Sequence, residues 1–393
     1  MLWVGLASFC AVASVFVTYY LLVLKSPKVS EYTRAIEKAM SNDLLANELP
    51  RVSVLVPAYN EEEVIVRRLE DIAAMEYPRE KIEVVLIDDC STDGTSVVAK
   101  RRLDELGLSG RILRNQERMG LNGCINRGVE ESKGDLVLTT DADVTVDHDA
   151  LIKSLRVLLS VGHAGAITAR MIPVSETQTN AVRIEKSYRD LYDSMAVAES
   201  AIHSTFPGYS PFALFRKSTF TAIPVGYGSC DGNISLSIIR RGLRFLLVPN
   251  IAFYEPVASD IREQIRQKTR RAARQVQSVL ANKEMLFRHE YGAFGMRILP
   301  LRFLMMTLCP PLFLVGFAGL FLAAVWESAG WPLLVLCLAL LVSYVAGKAK
   351  PGRLGLPVSV FAHLLYLSIG LVMSTQNLRI WKPIERSTTG KAL

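Results

Sequence analysis

The segment from Gly134 to Asp143 constrains the fold more than any other part of the chain, because an apolar run ends there in two carboxylates. The run 136–138 has no polar residue, which is typical of a strand buried on both faces of a parallel α/β sheet. Asp141 and Asp143 follow this strand, at the edge where open α/β sheets bind their ligands. Two crowded carboxylates repel each other unless a cation joins them, and hard oxygen ligands suit Mg²⁺ or Mn²⁺. The alternative for an isolated Asp-x-Asp is a solvated turn.

Strand and helix patterns alternate on both sides of this segment. Apolar runs predict strands at 52–56, 82–87, 110–113 and 165–169, and a Gly/Pro loop at 206–216 runs into another. Helical spacing predicts helices at 61–74, 122–132, 149–160 and 180–203, and one opened by Asp231. Another helix should end at Leu106, with Ser91, Thr92 and Asp93 as its N-cap residues. The alternation predicts a doubly wound α/β domain. Asp89 follows the second strand and should therefore face the same crevice as Asp141.

The two ends of the chain carry charge-free apolar segments at 2–24, 303–326, 331–347 and 354–375. About 20 such residues span a bilayer. A signal peptide is the alternative for the first segment, but that segment has neither a basic start nor a small-x-small cleavage site. The four segments predict a multi-pass protein of the cell membrane. Lys25 and Lys28 follow the first segment, so the positive-inside rule predicts that the central block is cytoplasmic. Four spans would place the basic tail outside the cytoplasm. Either the tail breaks the positive-inside trend, or one of the segments 303–326 and 331–347 does not cross.

The net charge of +7 is concentrated beside the membrane segments. Residues 260–288 hold eight Lys or Arg against three acids, which favours anionic lipid head groups or a diphosphate as partners over nucleic acid. No nucleic-acid-binding motif accompanies this excess. The six cysteines have no metal-ligand spacing and indicate neither a zinc site nor a disulfide framework.

Five short motifs occur in order between residues 50 and 290: Pro57-Ala-Tyr-Asn-Glu61, Asp88-Asp89-x-Ser-Thr-Asp, Asp141-Ala-Asp143, Asp231 eleven residues before Gly242, and Gln267-x-x-Arg270. Each motif alone is weak. Together, in this order and at this spacing, they resemble the family 2 glycosyltransferases. The resemblance is to the membrane-embedded branch that includes hyaluronan, chitin, cellulose and poly-N-acetylglucosamine synthases.

The resemblance implies a GT-A fold, a Rossmann-like sheet that binds a nucleoside diphosphate sugar. The base is uracil in many members, so a UDP-sugar is the expected donor. The implied donor-binding residues are Pro57, Tyr59 and Glu61 along the nucleoside, Asp89 at the base, Asp141 near the ribose, and Gln267 and Arg270 over the diphosphate. Asp143, with Asp141 beside it, would bind the Mg²⁺ or Mn²⁺ ion. Asp231 matches the catalytic base.

These residue types suit the implied chemistry. A cation that neutralises the diphosphate leaving group contributes several kcal/mol in a dry site. A base that takes the proton of the acceptor hydroxyl contributes roughly a hundred- to ten-thousandfold in rate. Direct attack assisted by a single base implies inversion at the anomeric carbon.

Three positions depart from the family pattern. Arg271 stands where the family's Gln-x-x-Arg-Trp motif has Trp, Cys230 replaces the acid before Asp231, and Gly120-Leu121 replaces Gly-Lys. The family's Trp supports an acceptor sugar beside the polymer channel. Its loss favours transfer of one or a few sugars to a lipid-linked or glycan acceptor over processive polysaccharide synthesis. An alternative for Arg270, Arg271 and Arg274 is a lipid-facing basic stripe.

The resulting plan has six parts. They are a transmembrane helix at 1–25, a connector at 26–50, a cytoplasmic GT-A domain at 51–258, basic interfacial helices at 259–300, transmembrane helices at 301–376 and a basic tail at 377–393. Expected partners are the donor, the acceptor and membrane lipids, without nucleic acid. A catalytically silent nucleotide-sugar scaffold or sensor is the alternative from another class. A transporter is disfavoured because the apolar segments carry no charge in mid-span.

Overall fold

The computed structural model describes residues 1–42, 49–175, 180–207, 210–257, 260–326 and 355–375. Its strands form one eight-stranded sheet in the order β3-β2-β1-β4-β7-β6-β8-β5. The strands are β1 Val52–Ala58, β2 Ile82–Asp88, β3 Gly110–Arg114, β4 Leu136–Thr139, β5 Thr145–Val146, β6 Ala164–Val174, β7 Ala213–Arg216 and β8 Arg244–Pro256.

The first four strands in the sheet order are parallel, as the alternation predicted. The sheet then changes character, because β7 runs antiparallel to both β4 and β6, whereas β8 runs parallel to β6. The chain therefore has a mixed α/β fold. Strands β5 and β8 were not predicted.

Twelve α-helices are described: α1 Leu2–Tyr19, α2 Lys28–Met40, α3 Ile65–Ala73, α4 Thr95–Leu106, α5 Gly120–Glu131, α6 Ala150–Ser160, α7 Asn180–Ile202, α8 Cys230–Arg240, α9 Ile261–Ala281, α10 Leu299–Thr307, α11 Cys309–Trp326 and α12 Gly355–Met373. A π-helical turn, Tyr20–Leu24, extends α1. The predicted helix at 61–74 is shorter than expected and begins at Ile65.

The sheet is buried on both faces, which explains the uninterrupted apolar strands. Val54 and Val56 of β1 pack in a cluster with Ile65 and Leu69 of α3. Leu55, which points to the opposite face, packs in a second cluster with Ile125 of α5. Alternate side chains of one strand thus hold helices on opposite sides of the sheet.

The predicted connector contains a packed helix. In α2, Ile36 is fully buried, and the Tyr32 hydroxyl donates a hydrogen bond of 2.7 Å to the Leu247 carbonyl of β8. Both residues belong to the same core cluster as the apolar face of α3. Residues of α2 are therefore part of the core of the α/β domain.

Two described helices, Leu2–Leu24 and Cys309–Trp326, are long and apolar enough to cross a membrane by length and composition. They pack closely, since a Cβ atom at Gly5 would lie 3.0 Å from the Gly316 carbonyl oxygen. The predicted segment 303–326 is divided between α10 and α11 at Leu308, just before two prolines that cannot donate backbone hydrogen bonds. The predicted segment 331–347 and the tail 377–393 lie outside the described residues.

A buried ion pair joins these apolar helices to the α/β domain. The Arg302 Nε of α10 donates to Glu199 Oε1 of α7 at 2.6 Å, and the Tyr19 hydroxyl of α1 donates to the same oxygen at 2.6 Å. Both partners of the ion pair are almost fully buried. One carboxylate, that of Glu199, therefore links the three helices α1, α7 and α10.

Candidate active site

Polar loops follow three neighbouring parallel strands and share one edge of the sheet, which we call the crevice. Ala58 at the end of β1 pairs with Asp88 at the end of β2, and the Asp89 amide donates to the Ala58 carbonyl at 2.9 Å. On the other side of β1, the Thr140 amide donates to the Leu55 carbonyl at 3.0 Å. Residues 59–61, Asp89 and Asp141 therefore follow adjacent strands, as their positions in the sequence predicted.

The loops after β1 and β2 are joined by the residues that the sequence marked as helix caps. Ser91 Oγ accepts a hydrogen bond from the Asn60 amide at 3.0 Å, and Asn60 Oδ1 accepts one from the Thr92 amide at 2.8 Å. The N-cap of α4 is Gly94, so the expectation of a cap at Ser91, Thr92 or Asp93 is wrong. Asn60 adopts a φ of 54°, a left-handed conformation that asparagine tolerates. These bonds shape the crevice wall that contains Tyr59.

Asp89 is buried and organises the start of α5. Its carboxylate accepts hydrogen bonds from Asn115 Nδ2 at 2.8 Å, from the Met119 amide at 2.7 Å and from the Gly120 amide at 3.0 Å. Burial alone would raise the pKa of Asp89, but these bonds and one from Arg118 hold it below its ordinary value. Asp89 is therefore an ionised anchor for the loop 115–120.

Arg118 is a crevice residue that the sequence reasoning missed. Its Nε donates to Asp89 Oδ2 at 3.0 Å, and its guanidinium carbon lies 3.3 Å from the centroid of the Tyr59 ring. One cation thus contacts two residues to which the family resemblance assigned the nucleoside. The available signal was an arginine two residues before the glycine that opens α5. Gly120 has a φ of 72°.

The carboxylates after β4 are crowded. Burial raises the pKa of Asp141 well above its ordinary value, and the negative charges of Asp143, Glu255 and Glu61 raise it further. The positive charge of Arg271 lowers it. Three carboxylates and one guanidinium therefore act on Asp141, which is itself partly exposed. Glu255 lies near the end of β8 and had no sequence signal, because that strand was not predicted.

Arg68 supports the loop 141–146 from α3. Its side chain is almost fully buried, pairs with Asp71 and donates to the Val144 carbonyl at 3.3 Å. Burial lowers the pKa of Arg68, and the charges of Asp71, Asp141 and Asp143 oppose that effect. The Val146 amide donates to Asp71 Oδ2 at 3.3 Å. In the sequence, Arg68 lies next to Leu69, on the apolar face of α3, and a charged residue at such a position was the signal that could have identified this support.

Asp231 lies in the first turn of α8, as the sequence predicted. The helix is capped by the side chain of Ser229, and Asp231 Oδ1 accepts a hydrogen bond from the Gly232 amide at 2.9 Å. Burial nevertheless raises the pKa of Asp231, and the bonds from Ser229 and Gly232 and the charge of Arg271 offset this only in part. Burial therefore outweighs the preference of a helix N-terminus for the ionised form of this residue.

Helix α9 brings its basic residues to the crevice. Arg271 forms an ion pair with Glu255, and its charge acts on both Asp141 and Asp231. Arg274 lies close enough to Asp231 for the carboxylate to raise its pKa, although burial lowers it overall. These two side chains therefore interact with the site, which weighs against the lipid-facing stripe.

The two predicted donor residues of α9 are also partly buried. Burial and the neighbouring Arg271 lower the pKa of Arg270 to about 10. The Gln267 Nε2 atom is buried and has no hydrogen-bond partner within the described part of the chain. An unpartnered amide donor of this kind is suited to a ligand oxygen. Pro57, in contrast, lies near the end of β1, and the backbone of this strand leads from it into the crevice loop that begins at Tyr59.

The donor set fits a divalent ion that is shared with a substrate. Among the residues that the structure describes, no three Cys, His or acidic side chains converge closely enough to hold a metal by themselves. Mg²⁺ typically takes one or two carboxylates from the protein and completes its shell with water and substrate phosphates. The crowded Asp141 and Asp143 would supply two such carboxylates, and both burial and the negative charge of Asp143 raise the pKa of Asp141.

The comparisons with known proteins agree in pointing to glycosyltransferases. Residues 53–223 match the sequence model described as Glycosyl transferase family 2. The chain is 29% identical over 134 residues to the probable glycosyltransferase YdaM of Bacillus subtilis, covering 34% of this chain and 32% of that protein. It is 27% identical over 236 residues to a poly-beta-1,6-N-acetyl-D-glucosamine synthase of Staphylococcus aureus, covering 58% of this chain and 54% of that protein. The alignments thus span between about a third and just over half of these two relatives.

A solved structure resembles nearly the whole chain. The mannosyltransferase PcManGT from Pyrobaculum calidifontis, determined with GDP-Man and Mn²⁺, aligns with a TM-score of 0.73 and 24% identity. The alignment covers 95% of this chain and 98% of that one. At this identity the likeness establishes the fold, which is that of a GT-A glycosyltransferase.

Proposed function

We propose that this chain, whose residues 53–223 belong to glycosyl transferase family 2, is a membrane-bound inverting glycosyltransferase. It moves a sugar from a nucleoside diphosphate sugar to a lipid-linked or glycan acceptor. The observation that carries the proposal is the position of Arg271, whose charge acts on Asp141 beyond β4 and on Asp231 in α8. A metal-binding carboxylate and a base within reach of one cation are what this transfer needs.

The nucleoside would lie along the loops after β1 and β2. Tyr59, Glu61 and Asp89 line this part of the crevice, and Arg118 contacts both Tyr59 and Asp89. Asp89 accepts hydrogen bonds from the loop 115–120, so it would support the base site through that loop. A UDP-sugar is the expected donor from the family resemblance, and the mannosyltransferase of similar fold was solved with GDP-Man.

Asp231 would act as the catalytic base. As the acceptor oxygen bonds to the anomeric carbon, its proton passes to the Asp231 carboxylate. The bond between that carbon and the diphosphate oxygen breaks at the same time, and its electron pair leaves with the diphosphate. Attack opposite to the leaving group inverts the anomeric configuration. Such a base contributes roughly a hundred- to ten-thousandfold.

Asp143 and Asp141 would hold Mg²⁺ or Mn²⁺. A bound divalent ion neutralises the negative charge that develops on the leaving diphosphate. Gln267 and Arg270 of α9 would donate hydrogen bonds to the diphosphate oxygens, since the Gln267 amide is buried without a partner among the described residues. Arg68 keeps the loop 141–146 in place from below through Asp71 and the Val144 carbonyl.

A lipid-linked acceptor is favoured over a growing polymer. Arg271 occupies the position of the family's acceptor-stacking Trp, and its guanidinium pairs with Glu255. A charged, hydrogen-bonding group at this point suits a polar or anionic acceptor end better than the flat face of a polymer sugar. Processive synthesis is the second candidate, because one relative is named a poly-beta-1,6-N-acetyl-D-glucosamine synthase.

Membrane attachment of this enzyme would come from α1 and α11. Both are long and apolar enough to cross a bilayer. By the positive-inside rule, Lys25 and Lys28 at the end of the first would put the catalytic domain in the cytoplasm. The Arg302–Glu199 ion pair and the hydrogen bond from Tyr19 to Glu199 then hold α10 and α1 against α7 of the catalytic domain.

The deciding experiment is a donor panel. Purified protein would be incubated with UDP- and GDP-sugars, Mn²⁺ and a polyprenyl phosphate or membrane lipid extract, and nucleotide release and product mass would be measured. One or a few sugars added to a lipid acceptor supports the proposal, and long chains would favour the processive alternative. Binding of a nucleotide sugar without turnover in any combination would support the catalytically silent scaffold or sensor.

A further inference from the structure

A second cavity lies away from the crevice, where the end of α1 meets the loop before α10. Its volume is about 480 Å³, which is within the range of small-molecule sites. Basic or titratable side chains on its wall are Lys28, His289 and Arg297, and apolar ones are Leu22, Ile202 and Met296. None of these residues belongs to the candidate active site.

The polar wall of this cavity carries uncompensated positive charge. Lys28 and Arg297 are exposed, and neither has a carboxylate within ion-pair distance among the residues that the structure describes. The lining includes no Asp or Glu. Two cations that line one cavity without a counter-ion attract an anion, and Arg binds phosphate oxygens with matching geometry.

The apolar wall places the cavity at the membrane surface. Leu22 is in the last turn of the first apolar helix and is 48% exposed. Tyr20, in the same turn, lies beneath the Lys25 ammonium, 5.6 Å from it, an aromatic and basic combination typical of the membrane–water interface. The cavity therefore offers cations at the depth of lipid phosphates and apolar side chains toward the acyl chains.

The loop 287–295 gives the cavity a fixed outer wall. The Phe287 amide donates to the Gly295 carbonyl at 2.9 Å, which closes the loop. Gly292 has a φ of 54°, and a Cβ atom there would lie 3.1 Å from the His203 ring. Phe287 itself is 66% exposed on the same loop. The wall is thus held by backbone contacts and does not depend on a ligand.

We propose that this cavity binds the phosphate of an anionic phospholipid, with Lys28 and Arg297 at the phosphate and Leu22 and Met296 along the first acyl carbons. The proposal rests on membrane insertion of α1 and is independent of the sugar transfer. The volume of the cavity exceeds what inorganic phosphate needs, and one wall of the cavity is apolar. Both features favour the lipid over a free phosphate as the source of the anion.

The test is native mass spectrometry of the full-length protein released from nanodiscs that contain equal phosphatidylglycerol and phosphatidylcholine with the same acyl chains. We expect the parent protein to retain phosphatidylglycerol about tenfold better, and Lys28→Gln/Arg297→Gln to lose this preference. The matched control, Arg34→Gln/Lys38→Gln, removes the same charge from exposed positions on α2 outside the cavity. It should keep the preference. Lys28→Arg/Arg297→Lys, which keeps both charges, should also keep it and guards against misfolding.

Three results would overturn the proposal. Equal retention of both lipids by the parent protein excludes the site, and equal loss in the two charge-removal variants means that diffuse attraction explains the preference. Displacement of the lipid by millimolar inorganic phosphate would assign the cavity to a soluble anion. Alkaline carbonate extraction tests the membrane insertion separately. Release of the protein by carbonate refutes insertion, whereas retention without a lipid preference refutes only the cavity.

Discussion

The guanidinium carbon of Arg118 lies 3.3 Å from the centroid of the Tyr59 ring, and the same side chain donates to Asp89 at 3.0 Å. This contact covers the aromatic face that the family resemblance assigned to the nucleoside. Arg118 therefore positions both residues on which donor binding is proposed to depend.

Substitution of Arg118 should weaken donor binding. Arg118→Leu removes a charge-assisted hydrogen bond to Asp89 and a cation–π contact, so we expect nucleotide affinity to fall by about tenfold or more. Isothermal titration calorimetry with UDP and GDP measures this directly. Arg101→Leu, at an exposed position on α4, is the matched control. An unchanged affinity in Arg118→Leu would mean that the nucleoside binds elsewhere.

The metal assignment predicts a sharp response to chelation. We expect activity to vanish in excess chelator and to return with Mg²⁺ or Mn²⁺, and Asp143→Asn to remove turnover, because the amide cannot offset the diphosphate charge. Activity against free metal concentration is the measurement, and the circular dichroism of the variant is the control for folding. Full turnover in chelator by both proteins would contradict the assignment.

The buried pair of Glu199 and Arg302 should matter for stability more than for chemistry. Arg302→Met leaves the Glu199 carboxylate buried without its cation, a change that typically costs about 3–5 kcal/mol. We expect a lower thermal unfolding midpoint in detergent, measured by intrinsic fluorescence. Combining it with Glu199→Gln should recover much of the loss, since no lone charge is then buried. Equal destabilisation in the single and double variants would show that shape, and not charge, governs this contact.

Thiol labelling can test the orientation of the catalytic domain. Cys90 is partly exposed and Val97 is 75% exposed on α4, whereas Cys124 and Cys230 are buried. We expect Cys90, and an added Val97→Cys, to resist an impermeant thiol reagent on intact cells and to react after permeabilisation. Labelling of Val97→Cys without permeabilisation would place the domain outside the cytoplasm.

The parallel half of the sheet was predictable because its strands are buried on both faces. Short uninterrupted apolar runs such as Val84–Ile87 are typical of strands buried on both faces, and the acid after each run marks the ligand edge. Strand β8 was not predicted, since Arg244–Pro256 mixes apolar residues with an Asn and a Glu. Glu255 was missed with it, although its charge acts on Asp141.

The charge state of the site was less predictable than its composition. A helix N-terminus stabilises a carboxylate by roughly 0.3–1 kcal/mol, and the sequence alone shows that Asp231 occupies such a position. How much water the folded chain removes from that position depends on the packing of α8 and α9, which sequence spacing does not reveal. Likewise, Arg118 and Arg68 are ordinary helix-flanking or helical residues until the fold brings them to Asp89 and to the loop 141–146.

The role of Asp231 leads to a prediction about pH. Burial raises the pKa of Asp231, and only the deprotonated form can accept the acceptor's proton. The rate of transfer at saturating donor should therefore fall as the pH decreases through this raised pKa, at a pH above that expected for a solvated aspartate. Nucleotide affinity, measured over the same range, should change less, because Asp231 does not contact the nucleoside in the proposed arrangement.

Asp231→Asn provides the decisive comparison. Asn keeps the size of the side chain and can still accept the hydrogen bond from the Gly232 amide, but it cannot act as a base. We expect nucleotide affinity close to that of the parent and transfer slower by roughly a hundredfold or more. Asp89→Asn should show the opposite pattern, with donor affinity lost first, because it weakens the anchor of the loop 115–120. Parallel loss of binding and transfer in Asp231→Asn would make this residue part of the donor site, and the base would then have to be another carboxylate of the crevice.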